Sequence, residues 1–119
     1  MKEITIDGVV YIPKEEAPKI KSNTEGLIFC VIRTYSAGVH AGFLKDRKGK
    51  EVVLYGARRL WKWAGAFTLS EIALKGVSKP DECKFSVTIP EITLTEAVEI
   101  IPCTDEAYRS ITGVKDYEP

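Results

Sequence analysis

Two segments of the chain concentrate side chains able to hold a flat, phosphate-bearing molecule. The first, Arg33 to Gly42, reads RTYSAGVHAG; the second, Ala57 to Ala66, reads ARRLWKWAGA. Between them they carry Arg33, Arg58, Arg59, the single histidine, His40, and both tryptophans, Trp61 and Trp63. A guanidinium grips phosphate oxygens through parallel N–H donors and a tryptophan face stacks on a base. Small residues such as Ser36, Ala37 and Gly38 let backbone N–H groups approach an anion. The expected ligand is a nucleotide. Adjacent strand residues point to opposite faces, so one of Arg58 and Arg59 can face a ligand while the other supports the fold. Trp61 and Trp63, two apart, share a face in a strand and would make a continuous aromatic platform; core packing, base stacking and a subunit contact are its open uses. Gly38 and Gly42 frame the start of a strand but match neither a phosphate loop nor a dinucleotide fingerprint, and Gly38 also reads simply as a turn glycine.

The same residues make a poor catalyst. His40 stands alone, there is no G-x-S-x-G elbow, and no metal-binding carboxylate cluster accompanies it. Glu91, Glu96 and Glu99 read as a solvated face rather than a carboxylate dyad. Cys30, Cys83 and Cys103 are odd in number and widely spaced, without a CxxC pair, and read as buried structural thiols. No catalytic residue, metal or cofactor is expected. Three functions remain in play: a nucleotide binder, a protein-interaction module whose contact is made by Tyr55, Trp61 and Trp63, and an enzyme that cleaves the nucleotide with His40.

The rest of the chain must position these groups. Its 119 residues suit one domain, and 45% hydrophobic with 29% charged residues is ordinary for a globular protein. Seventeen basic residues balance seventeen acidic ones, which argues against coating long nucleic acid. No apolar run reaches the length needed to cross a membrane and the first residues lack a signal-peptide core, so a cytoplasmic location is expected. Residues 1–25 read as a strand or hairpin about Asp7-Gly8 followed by a connector, and residues 26–119 as a single ligand-binding domain. Leu27 to Tyr35 has the composition of a buried central strand. Val39 to Asp46 and Glu51 to Tyr55 flank the turn Arg47-Lys48-Gly49-Lys50, and Ala57 to Trp63 reads as strand or helix. Thr68 and Glu71 form a capping box for a helix stopped at Gly76. Phe85, Val87 and Ile89 form one alternating face, and two strands, or one long bent strand, run on to Pro102; a last helix from about Glu106 to Ile111 is capped by Thr104 and Asp105 and stopped at Gly113. The fold class is therefore α+β, a mainly antiparallel sheet with two short helices.

RTYSAGVHAG, then ARRLWKWAGA with TLSEIALKG behind it, then KPDECKF and EAVEIIPCT, resemble a small family of phage and prophage proteins, the Thoeris anti-defence proteins of the first type. The resemblance covers about Leu27 to Ile111. It implies a sponge that binds cyclic ADP-ribose isomers without degrading them, so that a Thoeris immune effector is never switched on. It also implies, for some members, separate sites for cyclic di- or trinucleotides of the CBASS system. Homodimers and larger homo-oligomers such as hexamers, with ligand sites at or near subunit interfaces, in the host bacterial cytoplasm during infection, are implied as well. Carried onto matching positions, the ligand-binding set is Arg33, Ser36, Gly38 and His40 in the first motif and Arg58, Arg59, Trp61 and Trp63 in the second. Arg109, on the last helix, is added as a basic residue near the ligand.

Overall fold

The computed structural model describes residues 19–118 in full and, for backbone only, two short strands before them. These are β1 (Ile4–Ile6) and β2 (Val9–Tyr11), paired antiparallel as the Asp7-Gly8 dipeptide suggests. Residues 13–18 of the expected connector lie outside the described residues. From Lys19 onward, however, the chain is already knit to the domain: the Lys21 amide donates to Cys103 O, Asp105 to Lys19 O and Phe29 to Lys21 O. Residues 19–25 are thus hydrogen-bonded to the rest of the domain.

The main sheet has six strands: β3 (Phe29–Thr34), β4 (Val39–Lys48), β5 (Glu51–Lys62), β6 (Lys84–Phe85), β7 (Ile89–Leu94) and β8 (Ala97–Pro102). Their order is β6-β5-β4-β3-β8, and β7 takes the edge of β5 that β6 leaves free. All pairings are antiparallel. The expected central strand is β3, with both neighbours present and a fully buried run from Phe29 to Ile32. The β4–β5 hairpin is tighter than the four-residue turn expected. Lys48 pairs with Glu51, so only Gly49 and Lys50 turn the chain, with Gly49 at φ 61°. The open choice for Ala57–Trp63 resolves to strand as far as Lys62.

Two offsetting bulges shape this hairpin. Ala41 faces Arg58 and Phe43 faces Tyr55, which leaves Gly42 opposite both Gly56 and Ala57; three residues further on, Lys45 is the extra residue on β4. Bulges bend a strand and increase its twist. A side chain at Gly42 would place its Cβ 3.0 Å from Ala57 Cβ and 3.1 Å from Ala57 Cα, so a larger residue there would have to push Ala57 back by a few tenths of an ångström. Gly42 therefore serves the curvature of the sheet.

Each face of the sheet carries its own core. On one, Phe29, Val31, Ala41, Leu60 and Phe85 pack against the helices α1 (Leu69–Lys75) and α2 (Asp105–Gly113). On the other, Cys30, Ile32, Val52, Leu54, Ala57 and Leu94 form a second cluster, with Ile92 and Ile100 against it. Both helices start as expected. Thr68 Oγ1 accepts from the Glu71 amide, although the Glu71 carboxylate reaches back one residue further than in a standard capping box, accepting from the Phe67 amide at 2.8 Å. Thr104 Oγ1 accepts from the Ala107 amide, and Gly76, at φ 79°, ends α1. Gly113 does not stop α2; it is the last helical residue, and Val114 leaves in extended conformation. Nor does strand continue unbroken from Phe85 to Ile89, because the chain leaves the ladder after the Ser86 amide donates to Arg59 O.

Candidate nucleotide-binding groove

Strand alternation separates the candidates. His40 and Arg59 are directly paired across β4 and β5, and His40 is also paired with Ile32, so all three share the face of the second core. Arg33 is paired with Val39, on the opposite face. It is half exposed and forms a cross-strand ion pair with Glu99 at 3.2 Å. The fold therefore does not bring Arg33 to Arg59. Ser36 is exposed in the β3–β4 loop, and Gly38, at φ 81°, closes that loop where Thr34 Oγ1 donates to its carbonyl at 2.7 Å. Arg109 is exposed on α2 and pairs with Asp105 one turn back, away from the groove.

The two adjacent arginines divide the work as alternation requires. Arg58 points to the helix side and is buried at 3% exposure. Its five N–H donors go to Ser86 O, Ile111 O, Val114 O, Phe85 O and Asp116 Oδ1. Burial lowers its pKa while Asp116 opposes the shift, and an arginine stays protonated in either case. With no donor left over, Arg58 belongs to the fold and leaves the ligand set. Arg59 is exposed, and its guanidinium has no ion pair or hydrogen-bond partner among the described residues. Its backbone is held tightly, the amide donating to Ser86 Oγ at 2.7 Å and the carbonyl accepting from the Ser86 amide at 2.9 Å.

Arg59 lies where two clefts meet. One, of about 230 Å³, is lined by His40, Ala57, Arg58, Arg59, Ser86, Val87, Ile89 and Ile92. The other, of about 300 Å³, is lined by Arg59, Trp61, Lys84, Ser86 and Tyr117. Together they reach the size range of small-ligand sites. At the floor of the first, His40 donates from Nε2 to Ala37 O at 2.9 Å, which leaves Nδ1 as the acceptor. Burial, with a smaller contribution from Arg59, lowers the His40 pKa, so the ring is neutral near pH 7.

The expected Trp61–Trp63 platform does not form. Register slips by one residue between Leu60 and Lys62, where β5 pairs with β6, and the slip turns Trp63 onto the helix-side core, half buried. Trp61 remains 69% exposed. Its aromatic neighbour is instead Tyr117, with ring centroids 6.3 Å apart, and Lys84 Nζ sits 5.4 Å from the Trp61 ring. Lys84, Ser86 and Tyr117 were not foreseen. No local signal marks them, since long-range pairing of Phe85 with Leu60 and of Asp116 with Phe85 brings them here.

The molecule is thus a small α+β domain with a basic and aromatic groove centred on Arg59, on the sheet face away from its helices. Residues 28–111 match a domain family of unknown function, DUF6948, and the chain belongs to that family. No curated protein and no solved structure matches it. Among the described residues, no helix is long and apolar enough to cross a membrane.

Proposed function

We propose that this domain binds a small phosphorylated nucleotide and holds it unchanged, as a sponge for cyclic ADP-ribose isomers that keeps an immune effector from being activated. The observation that carries the proposal is Arg59: a cation without a side-chain partner among the described residues, on a rigidly held strand, between an acceptor-floored cleft and an exposed tryptophan. Phosphate oxygens pair with Arg59, a ribose hydroxyl donates to His40 Nδ1, and the base lies on Trp61. Holding rather than cleaving is favoured by Ser86 and His40. The Ser86 hydroxyl already accepts from Arg59 and donates to Val87 O, and His40 is pinned by Ala37 rather than aimed by a carboxylate.

A sponge has no turnover and must succeed by affinity. Against a signal near micromolar levels its binding free energy must be more favourable than about −8 kcal/mol. The groove is open on the side of Val87 and Ile89, both exposed, and a second copy of the chain closing that side would exclude water from the Arg59–phosphate pair, in keeping with the oligomers that the resemblance implies. Calorimetric titration of cyclic ADP-ribose and cyclic dinucleotides into wild type and Arg59→Ala tests the proposal. Submicromolar binding lost in the variant is expected, and absence of binding to every cyclic nucleotide would overturn it. The high exposure of Trp61 and Phe67 favours a second reading, a protein-interaction module. There, Trp61→Ala would break an oligomer or partner complex without affecting a small ligand.

A further inference from the structure

Residues 114–117, the segment after α2, are held to the sheet by many polar contacts for their length. Arg58 donates to Val114 O at 2.8 Å and pairs with Asp116 at 3.1 Å. Asp116 forms a parallel bridge with Phe85, and the Tyr117 amide donates to Phe85 O at 2.9 Å. In this extended stretch alternation sends Asp116 toward Arg58 on the helix side and Tyr117 to the groove side. The Tyr117 ring meets that of Trp61 at 59°, and Lys84 Nζ lies 5.0 Å from the Tyr117 ring. The result is an aromatic corner with a cation over both rings, and one side of that corner belongs to a segment 56 residues away in sequence.

We infer that residues 114–117 form a strap that completes the groove, with Tyr117 as the wall against which a flat heteroaromatic ring seats on Trp61, and the Arg58–Asp116 pair as the device that positions Tyr117. The inference rests on the nucleotide-binding reading and deepens it. A ring laid on the Trp61 face meets Tyr117 at an angle, the face-to-edge arrangement that aromatic groups favour. A phosphate joined to that ring runs between Lys84 and Arg59, both of which line this part of the groove. Recognition of the base and recognition of the phosphate therefore rest on different residues. Arg58 acts at one remove, as a positioning residue.

The test uses wild type, Tyr117→Ala, Tyr117→Phe and Asp116→Asn, titrated with cyclic ADP-ribose and with ribose 5-phosphate, which has no base. Amide exchange at Tyr117 is followed by NMR alongside. Tyr117→Ala is expected to weaken cyclic ADP-ribose about tenfold, the scale of a lost stacking contact, and to leave ribose 5-phosphate unchanged, while Tyr117→Phe binds as wild type does. Asp116→Asn is expected to speed exchange at Tyr117 and to weaken cyclic ADP-ribose in the same direction. Equal weakening of both probes by Tyr117→Ala, unchanged cyclic ADP-ribose binding in that variant, or a loosened strap with unaltered affinity would overturn the strap alone. Failure of wild type to bind either probe would instead remove the nucleotide reading, and the strap's role with it.

Discussion

Replacing each of two neighbouring arginines by alanine should give opposite phenotypes. In Arg58→Ala, the buried carbonyls of Ile111 and Val114 lose a charged donor, Asp116 loses its partner, and the guanidinium 5.3 Å from the Phe85 ring disappears. Asp116 is half exposed and contributes little by itself. Two buried acceptors at about 1–3 kcal/mol each, plus lost packing, give a cost of roughly 3–5 kcal/mol. With a urea dependence near 2 kcal/mol/M for a domain of this size, the unfolding midpoint should fall by about 1.5–2.5 M. Arg59→Ala removes an exposed side chain that has no partner among the described residues and should move stability by less than about 0.5 kcal/mol. It should instead weaken nucleotide binding about 10- to 150-fold, the loss of a charge-assisted hydrogen bond of roughly 1.5–3 kcal/mol. Urea denaturation and calorimetric titration of both variants provide the measurements. A stable Arg58→Ala, or an Arg59→Ala that destabilises as much as its neighbour, would refute the assignment of one to the fold and the other to the site.

Three further outcomes are expected. Gly42→Ala should destabilise by about 1–3 kcal/mol in urea denaturation, because the new Cβ meets Ala57 backbone that cannot easily yield; an unchanged midpoint would count against the bulge as the source of the sheet's bend. Burial holds the folded-state pKa of His40 below the ordinary 6.5, so the unfolded chain takes up that proton first as pH falls. This contribution is therefore flat above pH 6.5 and destabilises below it by up to about 1.4 kcal/mol per pH unit until the folded pKa is reached. The difference between wild type and His40→Asn, followed from pH 8 to pH 5, should show that slope, and parallel curves would contradict it. Burial raises Cys30 to about 11 and Cys103 to about 12, so a thiol reagent at pH 8 should label both only at the rate of unfolding. Fast labelling of the native protein would show the two cores to be open.

Much of the fold was legible because its signals are local. Gly49 and its charged neighbours marked the β4–β5 hairpin, Thr68 with Glu71 and Thr104 with Asp105 marked both helix starts, and the apolar run before Arg33 marked the central strand. Adjacency alone also implied that Arg58 and Arg59 face opposite ways, although not which way each faces. That depended on the register of β5 against β4, where the bulge at Gly42 shifts the pairing by one residue. The same physics undid the tryptophan platform, since a one-residue slip opposite Phe85 exchanges the faces of everything beyond it. Arg33 read as a ligand cation because its carboxylate partner, Glu99, depends on a long-range strand pairing, whereas Arg109 entered only through the resemblance and its partner, Asp105, lies one helical turn away. Tyr117 carried no sequence signal at all, because its place beside Trp61 is set by the buried side chain of Arg58.

Retention of an intact ligand is the most direct measurement of the central claim. The purified protein is incubated with lysate from cells producing a TIR-derived cyclic ADP-ribose signal, filtered and heat-denatured, and the released small molecules are identified by mass spectrometry. The account expects an intact cyclic ADP-ribose isomer in near-stoichiometric amount from wild type and little from Arg59→Ala. Release of a cleaved product, or of no nucleotide from wild type, would contradict it.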